Sequence, residues 1–306
     1  MSVIIEAKDL GRWYGEVVGL GDLSVEIEGG ITGLLGPNGA GKSTFMKLIV
    51  GELKPSRGSI QVLGQRPFGS LALYRELGFC PQQDALYDEM SGLGFVQHLL
   101  RLAGFPRDQA RKRAVRAMER VHLEEAMERR CGTYSKGMRQ RTRLAQSIAH
   151  DPKLLIVDEP LTGLDPIARH QTLELFRELA AGGTSLIVSS HVLHEVQSLT
   201  DTIVMIHRGR LLAQGSVPEV RRMLARHPRQ VRMRAREPRR LAEALMGLEH
   251  IRSLRLGEDG SLVAETSAVD DLFFELGGIA SRIQAGIQSL ESSDDDLEAV
   301  FDYLVS

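Results

Sequence analysis

The feature that most restricts the fold of this chain is a glycine-rich loop between an apolar strand and a helix. The stretch GPNGAGKST, residues 36–44, fits the pattern G-x-x-x-x-G-K-[ST]. It follows the apolar run ITGLL, and the sequence after it predicts a helix from Lys42 to about Gly51. Glycines let backbone N–H groups curl around a phosphate, and Lys42 can neutralise its charge. A glycine-rich turn with an unrelated lysine is the alternative, which this context disfavours. The predicted phosphate site comprises Gly36, Pro37, Asn38, Gly39, Ala40, Gly41, Lys42, Ser43 and Thr44.

Strands and helices alternate along the first two thirds of the chain. Residues 1–35 predict short strands, and residues 90–130 predict long, charged helices. Two further buried strands, KLLIVD at 153–158 and TSLIVSS at 184–190, each follow helical sequence. This alternation predicts an α/β fold with a parallel, doubly wound sheet.

The pattern changes after about Pro218. The segments there predict the order β-α-β-β-α-β, with a hairpin at GEDG. A final helix is predicted at 293–305, because a serine and three aspartates open this stretch. The order indicates a small α+β domain. We therefore expect two domains, residues 1–217 and 218–306.

Composition excludes several functional classes. The 306 residues carry a formal net charge of −2, which gives no overall attraction to nucleic acid or to a membrane surface. No apolar run approaches 18 residues, so no membrane span is predicted, and the start MSVIIEAKDL does not resemble a signal peptide. The two cysteines, Cys80 and Cys131, fit no metal or disulfide framework.

Polar residues end the two later buried strands. Asp158 and Glu159 follow KLLIV, and the carboxyl ends of strands in α/β folds border the ligand crevice. We expect Asp158 to hold Mg²⁺ through water and Glu159 to polarise an attacking water. The alternative is that these acids cap a turn. His191 follows SS of the next strand and could contact a terminal phosphate, although a lone histidine there is more often structural.

A second anion site is predicted at TYSKGMRQR, residues 133–141. Serine and glycine weaken a helix interior but suit a helix start. A basic helix start attracts an anion. The run of Arg139, Arg141 and Arg143 is interpreted as a solvated helix face.

With these motifs in order, the chain resembles the ATP-binding cassette (ABC) ATPases over about residues 3–217. GPNGAGKST is similar to the family's Walker A loop, and LLIVDE is similar to its Walker B strand. Gln82 resembles the Q-loop glutamine, with Gln83 as its rival. Tyr14 resembles the aromatic residue that stacks on adenine, with Trp13 as its rival.

Further motifs extend the resemblance. GLD, which ends at Asp165, resembles the D-loop, and His191 resembles the switch histidine. YSKGMRQR resembles the family's signature, with Lys136 where glycine is usual and Met138 where glutamine is usual. In that family the signature closes over the nucleotide of a second cassette. The resemblance implies a helical subdomain at about 85–140.

The resemblance implies ATP and Mg²⁺ as ligands. The implied catalytic residues are Glu159, His191 and Gln82. The implied Mg²⁺ residues are Ser43, Gln82 and Asp158. Outside the loop 36–44, the implied nucleotide contacts are Tyr14, Ser135, Gly137 and Asp165.

Partners follow from the same resemblance. One chain carries one cassette, so a second cassette is implied, either an identical or a related chain. The expected function is ATP-driven energy coupling for a transporter, in particular an exporter, with a separate integral membrane permease that holds the chain at the cytoplasmic face of the membrane. No nucleic-acid partner is expected. Residues 218–306 loosely resemble the domain appended to ATPases of drug and polymer export.

Two alternatives stay open. An ABC ATPase can drive a membrane partner mechanically, for example to regulate cell-wall enzymes, without transport. A soluble ABC protein can act on ribosomes or DNA, but such relatives usually carry two cassettes or long insertions.

Overall fold

The Cα positions divide the chain into two compact units, Met1–Ser216 and Val217–Ser306. The structure is a computed structural model, and it describes residues 2–83, 85–220, 229–257 and 259–292. Within the described part of the chain, no helix combines the length and the apolar character needed to cross a membrane.

A six-stranded sheet forms the centre of the first unit, in the order β5-β6-β7-β3-β8-β9. Its strands are β3 (Ile31–Leu35), β5 (Leu77–Cys80), β6 (Leu154–Val157), β7 (Ser185–Ser190), β8 (Thr202–His207) and β9 (Arg210–Ser216). The first five in spatial order are parallel, which confirms the predicted α/β fold. The edge strand β9 is antiparallel to β8, because a tight turn at Arg208 and Gly209, both with positive φ, joins the two.

A second, antiparallel sheet packs against this core, in the order β2-β1-β4. Its strands are β1 (Val3–Tyr14), β2 (Val17–Glu28) and β4 (Arg57–Val62). The sequence predicts short strands over residues 1–35, but β1 and β2 each extend over 12 residues. Alternate residues of β2 from Leu23 onwards are buried, so one continuous face of this ribbon packs on the core.

Helices line the core on one face of the six-stranded sheet and share the other face with the antiparallel sheet. They are α1 (Lys42–Ile49), α2 (Leu71–Tyr74), α3 (Gly92–Leu102), α4 (Arg107–Arg120), a 3₁₀ turn (Cys131–Thr133), α5 (Lys136–Ile148), α6 (Pro166–Ala181) and α7 (Leu193–Gln197). Strand β6 shows the consequence: Leu155 and Val157 enter one core, and Leu154 and Ile156 enter the other. Because both faces are covered, its sequence is uniformly apolar.

The second unit has its own sheet and core. Its elements are β10 (Arg229–Ala235), α8 (Pro238–Leu245), β11 (Ile251–Leu256), β12 (Leu262–Thr266), α9 (Val269–Arg282) and β13 (Ile287–Ser292), in the β-α-β-β-α-β order that the sequence predicts. The antiparallel strands lie in the order β11-β12-β10-β13. Met233, Leu245 and Leu272 belong to its buried core. The helix predicted at 293–305 lies outside the described residues.

Candidate active site

The glycine-rich loop joins the end of β3 to the start of α1. Gly39 and Gly41 have φ angles of 78° and 107°, in the left-handed region that favours glycine. A β-carbon on Gly36 would lie 2.4 Å from the carbonyl oxygen of Ile206, too close for any other residue. Backbone contacts with the neighbouring strand β8 therefore require glycine at the first position of the loop.

Lys42 is buried at the base of this loop, with 6% of its surface exposed. Its Nζ donates to the carbonyl oxygen of Gly36 and, at 3.2 Å, to that of Pro37. Desolvation lowers the pKa of Lys42, and the nearby charges of Glu159 and Asp158 oppose this shift. The ammonium group thus lies against uncharged carbonyls in a partly desolvated position, where a phosphate would supply the counter-charge. The loop fits a nucleotide phosphate on this ground.

Asp158 lies at the carboxyl end of β6, next to the first turn of α1. Ser43 Oγ donates to its Oδ2 at 3.1 Å, and Ser189 Oγ of β7 donates to its Oδ1 at 2.6 Å. A hydroxyl and a carboxylate oxygen are ligands of the kind that Mg²⁺ takes, with phosphate and water oxygens completing the shell. In the described residues no cluster of three or more His, Cys, Asp or Glu could hold a metal by itself. The pair Ser43 and Asp158 therefore fits Mg²⁺ only together with phosphate.

Glu159 is the most constrained residue of the site. It has a φ of 47°, which is unfavourable for a residue with a β-carbon, and its N–H donates to Ser189 Oγ at 2.9 Å. Gln82 Nε2 donates to its Oε2 at 3.1 Å. His191 Nδ1 lies 3.1 Å from its Oε1. Gln82, Glu159 and His191 follow the neighbouring strands β5, β6 and β7, so the sheet brings these three together.

Gln82 and Gln83 have different contacts. The side chain of Gln82 contacts Glu159, whereas the carbonyl oxygen of Gln83 accepts a hydrogen bond from Arg143. Arg143 also donates to Pro81 O at 2.6 Å. The structure therefore favours Gln82 over its rival for the role at the site.

Tyr14 ends β1 beside the phosphate loop. A β-carbon on Gly19 would lie 2.7 Å from its ring and 3.2 Å from Thr44, which puts both side chains around this glycine. Tyr14 is 44% exposed, and the guanidinium of Arg12 lies over its ring, 5.2 Å from the centroid. The Trp13 ring instead covers Gly11 of its own strand. Tyr14 is thus a partly exposed aromatic residue next to the loop.

The predicted second anion site lies at the start of α5. Ser135 is the N-cap, and its Oγ accepts from Met138 N at 3.3 Å. The Lys136 side chain runs along Gly163, and Gly137 lies beside Leu164. Asp165 caps α6 through Oδ1, which accepts from Ala168 N at 2.9 Å. Within the described part of the chain, neither Ser135 nor Asp165 has a side-chain hydrogen bond to the loop 36–44.

The arginine run after this helix start was wrongly interpreted as a solvated face. Arg139 donates to Asp88 Oδ1 at 2.6 Å and to Cys131 O at 2.9 Å. Arg141 donates to the carbonyl oxygens of Val121 and His122, and Arg143 donates to those of Pro81 and Gln83. The three half-buried guanidinium groups therefore fasten α5 to surrounding loops.

Two buried polar residues contribute to the site without a sequence prediction. Ser189 bridges Asp158 and Glu159, and the sequence shows it as the first of two serines that end the strand after the apolar run LIV. Gln140 donates to the backbone of Glu159 and Pro160. Nothing in its local sequence distinguishes Gln140 from an ordinary helix residue.

The sequence of residues 20–162 matches the family model described as "ABC transporter". The daunorubicin/doxorubicin resistance ATP-binding protein DrrA of Streptomyces peucetius is 32% identical over 303 residues, which cover 97% of this chain and 91% of that protein. The chain belongs to the ABC transporter ATPase family. This ABC protein is also 36% identical to the Nod factor export ATP-binding protein I of Ralstonia nicotianae, over 71% of the chain and 68% of the relative.

Comparison with solved structures agrees with this assignment. An ATP-binding subunit of an ABC transporter aligns with a TM-score of 0.66 and 31% identity, over 72% of this chain and 93% of that structure. The chain spans 60–64% of the length of three other relatives, which are 35–37% identical to it and named as ABC transporter ATP-binding proteins.

Proposed function

We propose that this chain is the ATP-hydrolysing, energy-coupling subunit of an ABC exporter. The observation that carries the proposal is the position of the Glu159 carboxylate. It lies between Gln82 and His191, and Glu159 directly follows Asp158 in the sequence. A carboxylate held by neighbouring side chains beside a phosphate loop can accept a proton from an attacking water. The reaction is hydrolysis of ATP to ADP and phosphate.

The residues of the loop bind and orient the substrate. Backbone N–H groups of 36–44 surround the phosphates, and Lys42 neutralises charge between the β- and γ-phosphates. Ser43 and Asp158, with Gln82 nearby, would hold Mg²⁺, which when bound neutralises charge that develops on the phosphate oxygens. Tyr14 stacks on adenine. His191 keeps the Glu159 carboxylate in place and faces the γ-phosphate.

Two chains complete two sites. The phosphate loop and the start of α5 are separate elements, so we assign Ser135 and Gly137 to the γ-phosphate held by a second cassette, identical or related. Asp165 would join that interface as part of the D-loop. Its Oδ1 caps α6, which holds the residue in place at the start of that helix. ATP then stabilises the dimer, and hydrolysis releases it, which is a ligand-driven two-state switch.

A separate integral membrane permease would transmit this switch and would keep the chain at the cytoplasmic face of the membrane. The permease would dock near the Gln82 loop and the helices at 90–105, and a surface groove of about 300 Å³ lies beside the strand that leads to Gln82. Its lining residues are Val50, Gly51, Glu52, Tyr74, Leu77 and Phe79. The names of two relatives, one for drug resistance and one for export, favour an exporter.

The proposed domains are a cassette over 1–217, with a helical subdomain at about 85–140, and a small domain over 218–306. The DrrA alignment extends through both. This full-length match supports a common role for the small domain in drug-export systems.

The test is Mg²⁺-dependent ATP hydrolysis by the purified chain, compared with Lys42→Ala. We expect turnover in the wild type and loss of ATP binding or turnover in the variant, because the charge that holds the phosphates is gone. Equal activity in the two proteins would refute the site. Affinity purification from membranes tests the membrane partner, and repeated failure to recover an integral membrane protein would contradict it.

A further inference from the structure

A buried side chain joins helix α5 to the backbone of Glu159. Gln140 is 7% exposed, and its Nε2 donates to Pro160 O and lies 3.3 Å from Glu159 O. Its amide is therefore committed to the peptide groups on either side of Pro160. A buried amide that lost these partners would lower the stability of the fold. The two bonds therefore hold the Gln140 amide in one orientation.

The backbone that Gln140 contacts is strained. Glu159 has a φ of 47°, and a residue with a β-carbon keeps this conformation only where its surroundings enforce it. Ser189 Oγ holds the N–H of Glu159 at 2.9 Å, and Gln140 holds the carbonyl side. The two contacts together fix the direction in which the Glu159 carboxylate leaves the main chain.

The same helix carries the signature. Lys136 runs along Gly163, and Gly137 lies beside Leu164, so the first turns of α5 contact both ends of the stretch from Glu159 to Leu164. A displacement at the start of α5 would therefore act on this stretch through direct contacts.

We propose that Gln140 is a positioning residue, which holds Glu159 in its strained conformation and connects the signature at Ser135 with the catalytic carboxylate of the same chain. The inference rests on the proposed function, since it assigns hydrolysis to Glu159 and nucleotide contact to Ser135. Docking of the partner's nucleotide on Ser135 thereby affects the position of Glu159 through α5.

The first test is Gln140→Leu, which keeps the side-chain size and removes the donor. We expect kcat to fall about tenfold to a hundredfold, because a small displacement of a catalytic group has effects of this size. ATP affinity, KM and ATP-dependent dimerisation should be retained. The matched control is Gln146→Leu, which removes a bond of the same kind from the same helix to Phe79 O at 2.9 Å. An equal fall in both variants, or no fall in Gln140→Leu, overturns the proposal.

The pH dependence of activity in Gln140→Glu distinguishes a donor role from a purely structural one. A protonated carboxyl can donate to Pro160 O, whereas a carboxylate cannot. Activity relative to wild type should therefore rise as the pH is lowered in Gln140→Glu and stay flat in Gln140→Leu. A flat ratio in both variants contradicts the role of the donor, provided that thermal unfolding shows both to be folded.

A double-mutant cycle completes the test. In a Glu159→Gln background, Gln140→Leu should cause little additional loss, because the two residues act as a unit. A full additional loss would show that Gln140 acts elsewhere. A wild type that hydrolyses no ATP would refute the proposed function itself, whereas an active wild type with an unaffected Gln140→Leu refutes only the inference.

Discussion

The imidazole Nδ1 of His191 lies 3.1 Å from Oε1 of Glu159. The glutamate side chain is 10% exposed and the histidine side chain is 44% exposed, so the imidazole forms the solvent side of the pair. Gln82 and Thr162 contact the other carboxylate oxygen, at 3.1 and 3.4 Å. The carboxylate is thus oriented by three side chains.

Replacement of this carboxylate separates binding from hydrolysis. Glu159→Gln should slow ATP hydrolysis by about a hundredfold or more, because an amide keeps the shape but cannot accept the proton. ATP binding should be unchanged, and an ATP-dependent dimer should persist on size-exclusion chromatography. Glu178→Gln, which alters only a surface pair with Arg120, is the control. Hydrolysis at the wild-type rate would remove Glu159 from the catalytic role.

The signature is tested by mixing variants. Ser135→Arg should retain nucleotide binding and lose turnover, because a bulky side chain at the start of α5 blocks the partner's ATP. Lys42→Ala should be inactive because its own phosphate loop no longer holds ATP, although its signature is intact. A mixture of the two can assemble one intact composite site per dimer, so part of the activity should return. Loss of ATP binding by Ser135→Arg alone would mean that the signature acts within its own chain.

Replacement of a glycine should affect the free energy of unfolding differently at the two anion sites. Gly36→Ala places a β-carbon 2.4 Å from Ile206 O, so the backbone must shift, with a loss of roughly 1–3 kcal/mol in the free energy of unfolding. Gly137→Ala meets Leu164 at 3.5 Å, an ordinary contact, and should unfold like the wild type. Chemical denaturation of both variants without nucleotide is the measurement. Equal stability of the two would contradict the close packing at Gly36.

The two compact units can be separated experimentally. A chain that ends at Ser216 should bind ATP with unchanged affinity, because every proposed nucleotide contact lies between Tyr14 and His191, and the second unit has its own core. The measurement is an ATP titration, with circular dichroism as the control for folding. Lost affinity in a folded truncated chain would show that the two units depend on each other.

The sequence alone determined the local parts of this protein. The loop 36–44, the buried strand before Asp158 and the helix start at Ser135 were predictable, because each depends on residues adjacent in the chain. The same holds for the α/β alternation and for the element order after Pro218. Periodicity and glycine placement are local properties, so these predictions needed no knowledge of packing.

Only the tertiary structure decided which distant side chains meet. Gln82 and Glu159 are 77 residues apart and come together because β5 and β6 are neighbours in the sheet. The order of strands depends on packing across the whole core, which a single sequence does not display. For the same reason the contacts of Ser189, Gln140 and the arginines of α5 were missed: a buried polar side chain is explained by its partner, and that partner is supplied by the fold.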